Sequence, residues 1–227
     1  MITEEEYLAL TPRVTKKSLR RPDRVAGVLA AGFVVLLLAT EAMLTLPDET
    51  ASPGAVASFY ATHRAFIVML QLLGIVAAGL LGLYTWRLRS VDRVVATTGM
   101  IMAGCGLLPS LITLLIAIVA DPTDPSSAGS WNQLEPLGDD ILFVGIVIFA
   151  GAIVVRLGRE LPALGVLAGF VAITCLIRLG LEIAGMGRGP LDAIGPLSFV
   201  LLIAVMAILS FLGILGMNSA PGTTRDE

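Results

Sequence analysis

The chain has 227 residues, of which 56% are hydrophobic and 15% charged, with a mean hydropathy of +0.89; an ordinary soluble domain carries about 25% charged residues. A water-soluble core cannot hide that much apolar surface, and six spans of about 20 residues leave room within these residues only for short loops and tails. The net charge of −3 decides little, because charges in a membrane protein act by side and depth rather than by sum.

The first 24 residues form a tail that passes from Glu4, Glu5 and Glu6 to a basic stretch, Arg13, Lys16, Lys17, Arg20, Arg21 and Arg24. The first span is predicted at about 25–46. It is longer than the 7–15 apolar residues of a signal peptide and lacks a small-x-small cleavage site, so it is expected to stay in the chain. In the following loop, Ser52-Pro53 reads as an N-cap with proline at the first helical position. Residues Gly54 to Thr62 are then expected as a short helix feeding the second span and lying on the membrane surface or over the bundle, with Val56, Phe59 and Tyr60 on one face. The second span, about 65–86, ends in Tyr84, Trp86, Arg87 and Arg89, an aromatic and basic cluster of the kind found at an interface. Gln71, deep in this span, is expected to hydrogen-bond to a neighbouring helix.

The third span, about 94–120, contains Pro109 and is expected to kink there. A turn-rich loop, Asp121-Pro122-Thr123-Asp124-Pro125-Ser126-Ser127, leads through Trp131 to Pro136. The strictly apolar run Ile141–Val155 is too short to cross a bilayer, so the fourth span is placed at about 137–157 and takes in Asp139 and Asp140. The fifth, about 161–184, begins with Pro162 at N1 and carries the small-residue pair Gly165 and Gly169, expected to pack inside the bundle. The sixth runs from about 194 to 217 with Pro196 near its start, and a polar tail, 218–227, follows. The fold class is therefore all-α, a polytopic membrane protein built as a bundle of six transmembrane helices.

Lys and Arg give this bundle a direction. Twelve of the fifteen fall in the N-terminal tail, at Arg87, Arg89 and Arg93, at Arg156 and Arg159, and at Arg225. Arg64 and Arg188 fall on the other side and Arg178 lies within a span. Both termini are accordingly expected in the cytoplasm. The opposite loops are acidic, with Asp48, Glu49, Asp121, Asp124 and Glu135. Thirteen arginines against two lysines fit a GC-rich bacterial genome, and the expected location is a bacterial plasma membrane.

Ionisable groups inside or at the edge of spans are costly, so each is a candidate for function. Here they are Glu41, His63, Arg64, Asp139, Asp140, Arg178 and Glu182, and all seven fall toward the outer side. Their convergence suggests one outward-facing polar site in which Arg178 is the central cation for Glu41, Glu182 or an aspartate of the fourth span. The competing structural account is an Arg–carboxylate clip between helices. His63 is the only histidine, which excludes a bis-histidine haem or a histidine-rich zinc site within one chain. No Walker A sequence, HExxH, GxSxG or paired CxxC is present, and both lysines lie in the tail. Cys105 and Cys175 sit in apolar runs, where a thiol behaves as a small hydrophobe. No metal, cofactor or catalytic residue is expected, and no nucleic-acid partner, because the basic residues trace a membrane edge. Anionic lipid is a plausible contact there.

The stretch Ala57-Ser58-Phe59-Tyr60-Ala61-Thr62-His63-Arg64 entering span two, the Asp139-Asp140 pair before span four and the six-span layout together resemble a family of small bacterial membrane proteins grouped as a domain of unknown function. The resemblance implies the topology and no activity. The expected role is a non-enzymatic membrane protein that binds a ligand, lipid or protein partner, possible partners including a second copy of itself. The alternatives are a small proton- or ion-coupled transporter and an intramembrane lipid-modifying enzyme.

Overall fold

The computed structural model describes residues 23–44, 46–47, 51–185 and 190–215. The tails at 1–22 and 216–227, with Asp48, Glu49, Arg188 and Arg225, lie outside the described residues. Among those described the chain is all-helical. The helices are α1 (Arg24–Met43), α2 (Pro53–Arg87, continued by a 3-10 turn, Leu88–Ser90), α3 (Arg93–Cys105), α4 (Leu107–Val119), α5 (Ser126–Asn132), α6 (Glu135–Leu157), α7 (Pro162–Ile183) and α8 (Leu191–Phe211). Six segments are long and apolar enough to cross a membrane: α1, α2 with its 3-10 turn, α3 with α4, α5 with α6, α7, and α8. This is a multi-pass membrane protein.

Local chemistry starts and stops these helices. Asp23 caps α1 by accepting from the Ala26 amide at 3.0 Å. Asp92 caps α3 by accepting from Val94 and Val95 at 2.8 and 3.0 Å. The Ser52 hydroxyl accepts from the Ala55 amide, with Pro53 at N1. Each places an acceptor over amides that the first helical turn leaves unsatisfied. At the other extreme, α7 ends at Gly185, whose φ of 65° is the left-handed conformation a helix C-terminus uses.

The structure refines two expectations. The surface helix at Gly54–Thr62 and the second span are one unbroken helix of 35 residues. At 1.5 Å per residue it is about 52 Å long, against about 30 Å of hydrocarbon, so its first turns project beyond the bilayer. There Val56, Ala57 and Tyr60 are buried against Ile116, Ala117, Ala120 and Ala128 in a small second core. Gly129 sits so close to Pro53 that a Cβ on it would come within 2.7 Å of the proline ring. The third span divides into α3 and α4 at Gly106, three residues before Pro109, and the Gly106 backbone stays helical at φ −65° and ψ −12°. Proline at 109 has no N–H for the carbonyl of Cys105, four residues back, and its ring crowds that turn.

Each span packs on the ones before and after it in sequence, and α8 closes on α1, giving a ring of six. Arginines gather at one end, where α1, α3 and α7 begin; carboxylates gather at the other. The basic half is filled by Tyr84, Phe149, Ile153, Leu202, Ile203 and Met206, all fully buried. Tyr84 thus faces the bundle, not an interface, while Trp86 is exposed under the Arg89 guanidinium, 3.4 Å from its ring centre. Gly165 meets Gly158: a Cβ on it would lie 2.7 Å from the Gly158 Cα. The Gly165 and Gly169 pair therefore serves contact between α7 and the end of α6 within the chain.

At the basic end two cap residues also bind arginines across helices. Arg87 Nε donates to Asp23 at 2.9 Å and Arg156 Nε donates to Asp92 at 2.9 Å. Burial pushes the Asp23 carboxyl up, but the Arg87 guanidinium and the helix amides outweigh it and hold it below its ordinary value. The same balance, with Arg156, lowers Asp92.

Candidate functional site

In the acidic half the six spans part around a cavity of about 630 Å³ to which every span contributes. Its floor and walls are apolar: Phe33, Leu70, Ala77, Leu81, Met102, Phe143 and Phe199. Toward the acidic end it becomes polar through Glu41, Gln71, Ser110, Asp139, Arg178 and Asp192. A volume of this size, mostly apolar with a few converging polar groups, is the ordinary form of a small-molecule site. Gly106 and Pro109, at the division of the third span, line it, as does Pro196 of α8.

The guanidinium of Arg178 is held between two helices. Its Nη1 donates to Asp140 on α6 at 3.0 Å and its Nε donates to Asp192 on α8 at 3.1 Å, and the side chain is only 2% exposed. Below it lies the ring of Phe143, 3.9 Å from the guanidinium carbon to the ring centre. Each aspartate accepts one charge-assisted hydrogen bond from the guanidinium. Arg178 is therefore a clip joining α6, α7 and α8 at the cavity wall, its charge already matched by two carboxylates.

The other candidates separate into two groups. Glu41 and Asp139 line the same cavity as Arg178. Glu41 is exposed and forms no ion pair or hydrogen bond with another described residue. Glu182, one turn beyond Arg178, is half-buried and does not line the cavity. His63 and Arg64 do not line the cavity and lie on α2 beside the second core instead. The His63 Nδ1 lies 3.0 Å from the Phe59 carbonyl, which can only accept, so this nitrogen carries the proton. Arg64 donates to the carbonyl of Ala120, the last residue of its helix end, where the helix dipole favours a cation. The nearby Asp121 carboxyl is held below its usual range by hydrogen bonds from Thr123, with Arg64 adding to the effect. Seven groups expected at one site thus divide, with His63 and Arg64 explained by local structure.

Gln71 lines the cavity and makes no hydrogen bond to a neighbouring helix among the described residues, contrary to expectation. Asp192 is a site residue that sequence reasoning missed, because the sixth span was begun at 194 and the aspartate fell in a loop. Its signal was available, since an acidic residue in a first helical turn is favoured by the helix dipole, and Asp192 lies in the first turn of α8. Glu135 was also passed over. It accepts from the Thr113 hydroxyl at 3.4 Å, near the fully buried Tyr60, whose hydroxyl has no hydrogen-bond partner. Among the described residues no three His, Cys, Asp or Glu side chains are grouped as a metal ion would require. Cys105 and Cys175 are free thiols.

No protein-family profile, curated protein or solved structure matches the chain.

Proposed function

We propose that this membrane protein is a non-enzymatic binding protein of a bacterial plasma membrane, with its basic end in the cytoplasm and its ligand site in the cavity at the outward, acidic end. The observation that carries this reading is the cavity itself: about 630 Å³ lined by all six spans, with Glu41, Asp139 and Arg178 at its polar end. The orientation rests on the excess of Lys and Arg at one end. The test is to purify the chain in lipid nanodiscs beside Val200→Trp, which places an indole in the cavity wall, and to compare retained small molecules by mass spectrometry. A compound enriched with the native chain and lost from the variant is expected. Equal profiles from two folded proteins would overturn the proposal.

One observation favours transport as the second reading. The third span divides at Gly106, where it lines the cavity, and Pro196 sits within α8 on the same wall. Hydrophobic spans carrying Gly and Pro at a candidate substrate site are a pointer to transport. Flux into proteoliposomes that vanishes in Glu41→Gln would favour it over simple binding.

A further inference from the structure

We infer that the ligand is an amphipathic organic cation, an apolar body bearing a single positive charge, with Glu41 as its counter-ion. This rests on the cavity being a ligand site, and it names the chemical class that site takes.

Charge is the first argument. The cavity wall carries three carboxylates, Glu41, Asp139 and Asp192, and one guanidinium, Arg178. That guanidinium is already spent on Asp192 and on Asp140 behind it, at 3.1 and 3.0 Å, with 2% of its side chain exposed. Among the described residues of the wall an anionic ligand would meet one cation already matched by two carboxylates, together with Glu41 and Asp139, and like charges repel. A cation meets Glu41, which has no basic partner among the described residues.

Shape is the second. Below the carboxylates the lining is Phe33, Leu81, Met102, Phe143, Phe199 and Val200, which offers no hydrogen-bonding side chain to a polar body and excludes sugars or inorganic ions as good occupants. Leu38 of α1 and Leu197 of α8 line the cavity while 44% and 58% exposed. The apolar wall thus continues to an open edge beside α1 and α8, which suits a molecule that partitions into the bilayer before it binds. Gln71 and Ser110 add neutral polarity between the two zones. An apolar floor below an unpaired carboxylate is the arrangement that selects a lipophilic cation over an anion of equal size, by a repulsive element as well as an attractive one.

Tetraphenylphosphonium and tetraphenylborate, nearly equal in shape and opposite in charge, are suitable probes. Saturable binding to the native chain in zwitterionic nanodiscs is measured for each, with empty nanodiscs subtracted. Tetraphenylphosphonium is expected to bind; Glu41→Gln should weaken it at least tenfold and Glu41→Asp by only a few-fold, with thermal midpoints unchanged because Glu41 holds no ion pair among the described residues. Tetraphenylborate should show no saturable binding. Equal binding of the two probes, or phosphonium binding untouched in Glu41→Gln, would overturn the inference. If the cation does not bind while a co-purifying compound is still lost from Val200→Trp, the ligand class is wrong and the cavity remains a site. If that compound is absent as well, both proposals fall.

Discussion

The same six helices are packed in two different ways along their length. In the basic half Tyr84, Phe149, Ile153, Ile203 and Met206 are fully buried, and Gly99 lets helices approach so closely that a Cβ on it would come within 2.9 Å of the Phe149 ring. In the acidic half the helices stand apart around about 630 Å³. Lipid tails are as apolar as leucine, so helix association in a bilayer depends on dispersion contacts and polar pairing. A void forfeits those contacts on one side of every residue that lines it. The packed half must therefore supply most of the stability, leaving the hollow half free to be shaped by a ligand. The largest effect should come from Phe149→Ala, at about 3–5 kcal/mol for a phenyl removed from a filled core, read as a large fall in thermal midpoint. A fall no greater than that of Val200→Ala, at the cavity wall, would break the comparison.

Polar pairing is how the hollow half holds together without packing, and Arg178 is its main example. Arg178→Leu leaves Asp140 and Asp192 facing each other across the gap. Removing one partner of a fully buried pair costs about 3–5 kcal/mol. The aspartate side chains here are 26% and 50% exposed, so water relieves part of that and about 2 kcal/mol is expected. Arg178→Lys should recover only part of the loss, because a compact ammonium cannot span carboxylates on two helices as the wide guanidinium does. If Arg178→Leu keeps its midpoint but loses ligand, Arg178 contacts the ligand directly and the clip is the wrong description.

At the basic end Asp23 combines a helix cap with an ion pair, so its removal should cost about 1 kcal/mol; Arg87 is 35% exposed, which limits the contribution of the pair. The sign of the pH dependence follows from the lowered carboxyl. Stabilisation by Asp23 is present at neutral pH, above its ordinary value of 3.8, and is lost as pH falls through the depressed folded-state value. Asp23→Asn keeps the cap and should flatten this acid limb, measured as midpoint against pH from 6 to 3. An unchanged limb would mean that the Arg87 pair contributes nothing measurable.

What could be foreseen from the sequence follows the range of the forces involved. The six apolar segments and their basic and acidic ends were legible because length, composition and charge act residue by residue. Caps such as Ser52 with Pro53 were legible because the chemistry is local. The helix of Gly54 to Thr62 was legible as feeding the second span, and its burial against Ala120 and Ala128 is what fixes it over the bundle rather than on the membrane surface. Convergence of Glu41, Asp139 and Arg178 followed from depth alone, since they share one end of the bundle. His63 and Arg64 share that depth and belong elsewhere, because rotation about the bundle axis depends on which side chains interlock. Asp192 was lost by a three-residue error in a helix start, large enough to move a carboxylate from a wall to a loop.

The smallest expected effect is the sharpest test of the contrast between halves. Val200 and Ile203 lie one turn apart on α8, the first half-buried at the cavity wall and the second fully buried below it. Tryptophan at 203 must displace side chains that already fill the core around a fully buried position, and overpacking of a dense core costs about 1–3 kcal/mol. Tryptophan at 200 has open volume to enter and gains new apolar contacts, so its midpoint should stay within about 0.5 kcal/mol of the native chain, the range of a substitution that strains nothing. Similar destabilisation at both positions would mean that the acidic half closes up in the membrane. Indole tolerated at 200 and resisted at 203 would place the boundary between packed floor and ligand space within a single turn of helix.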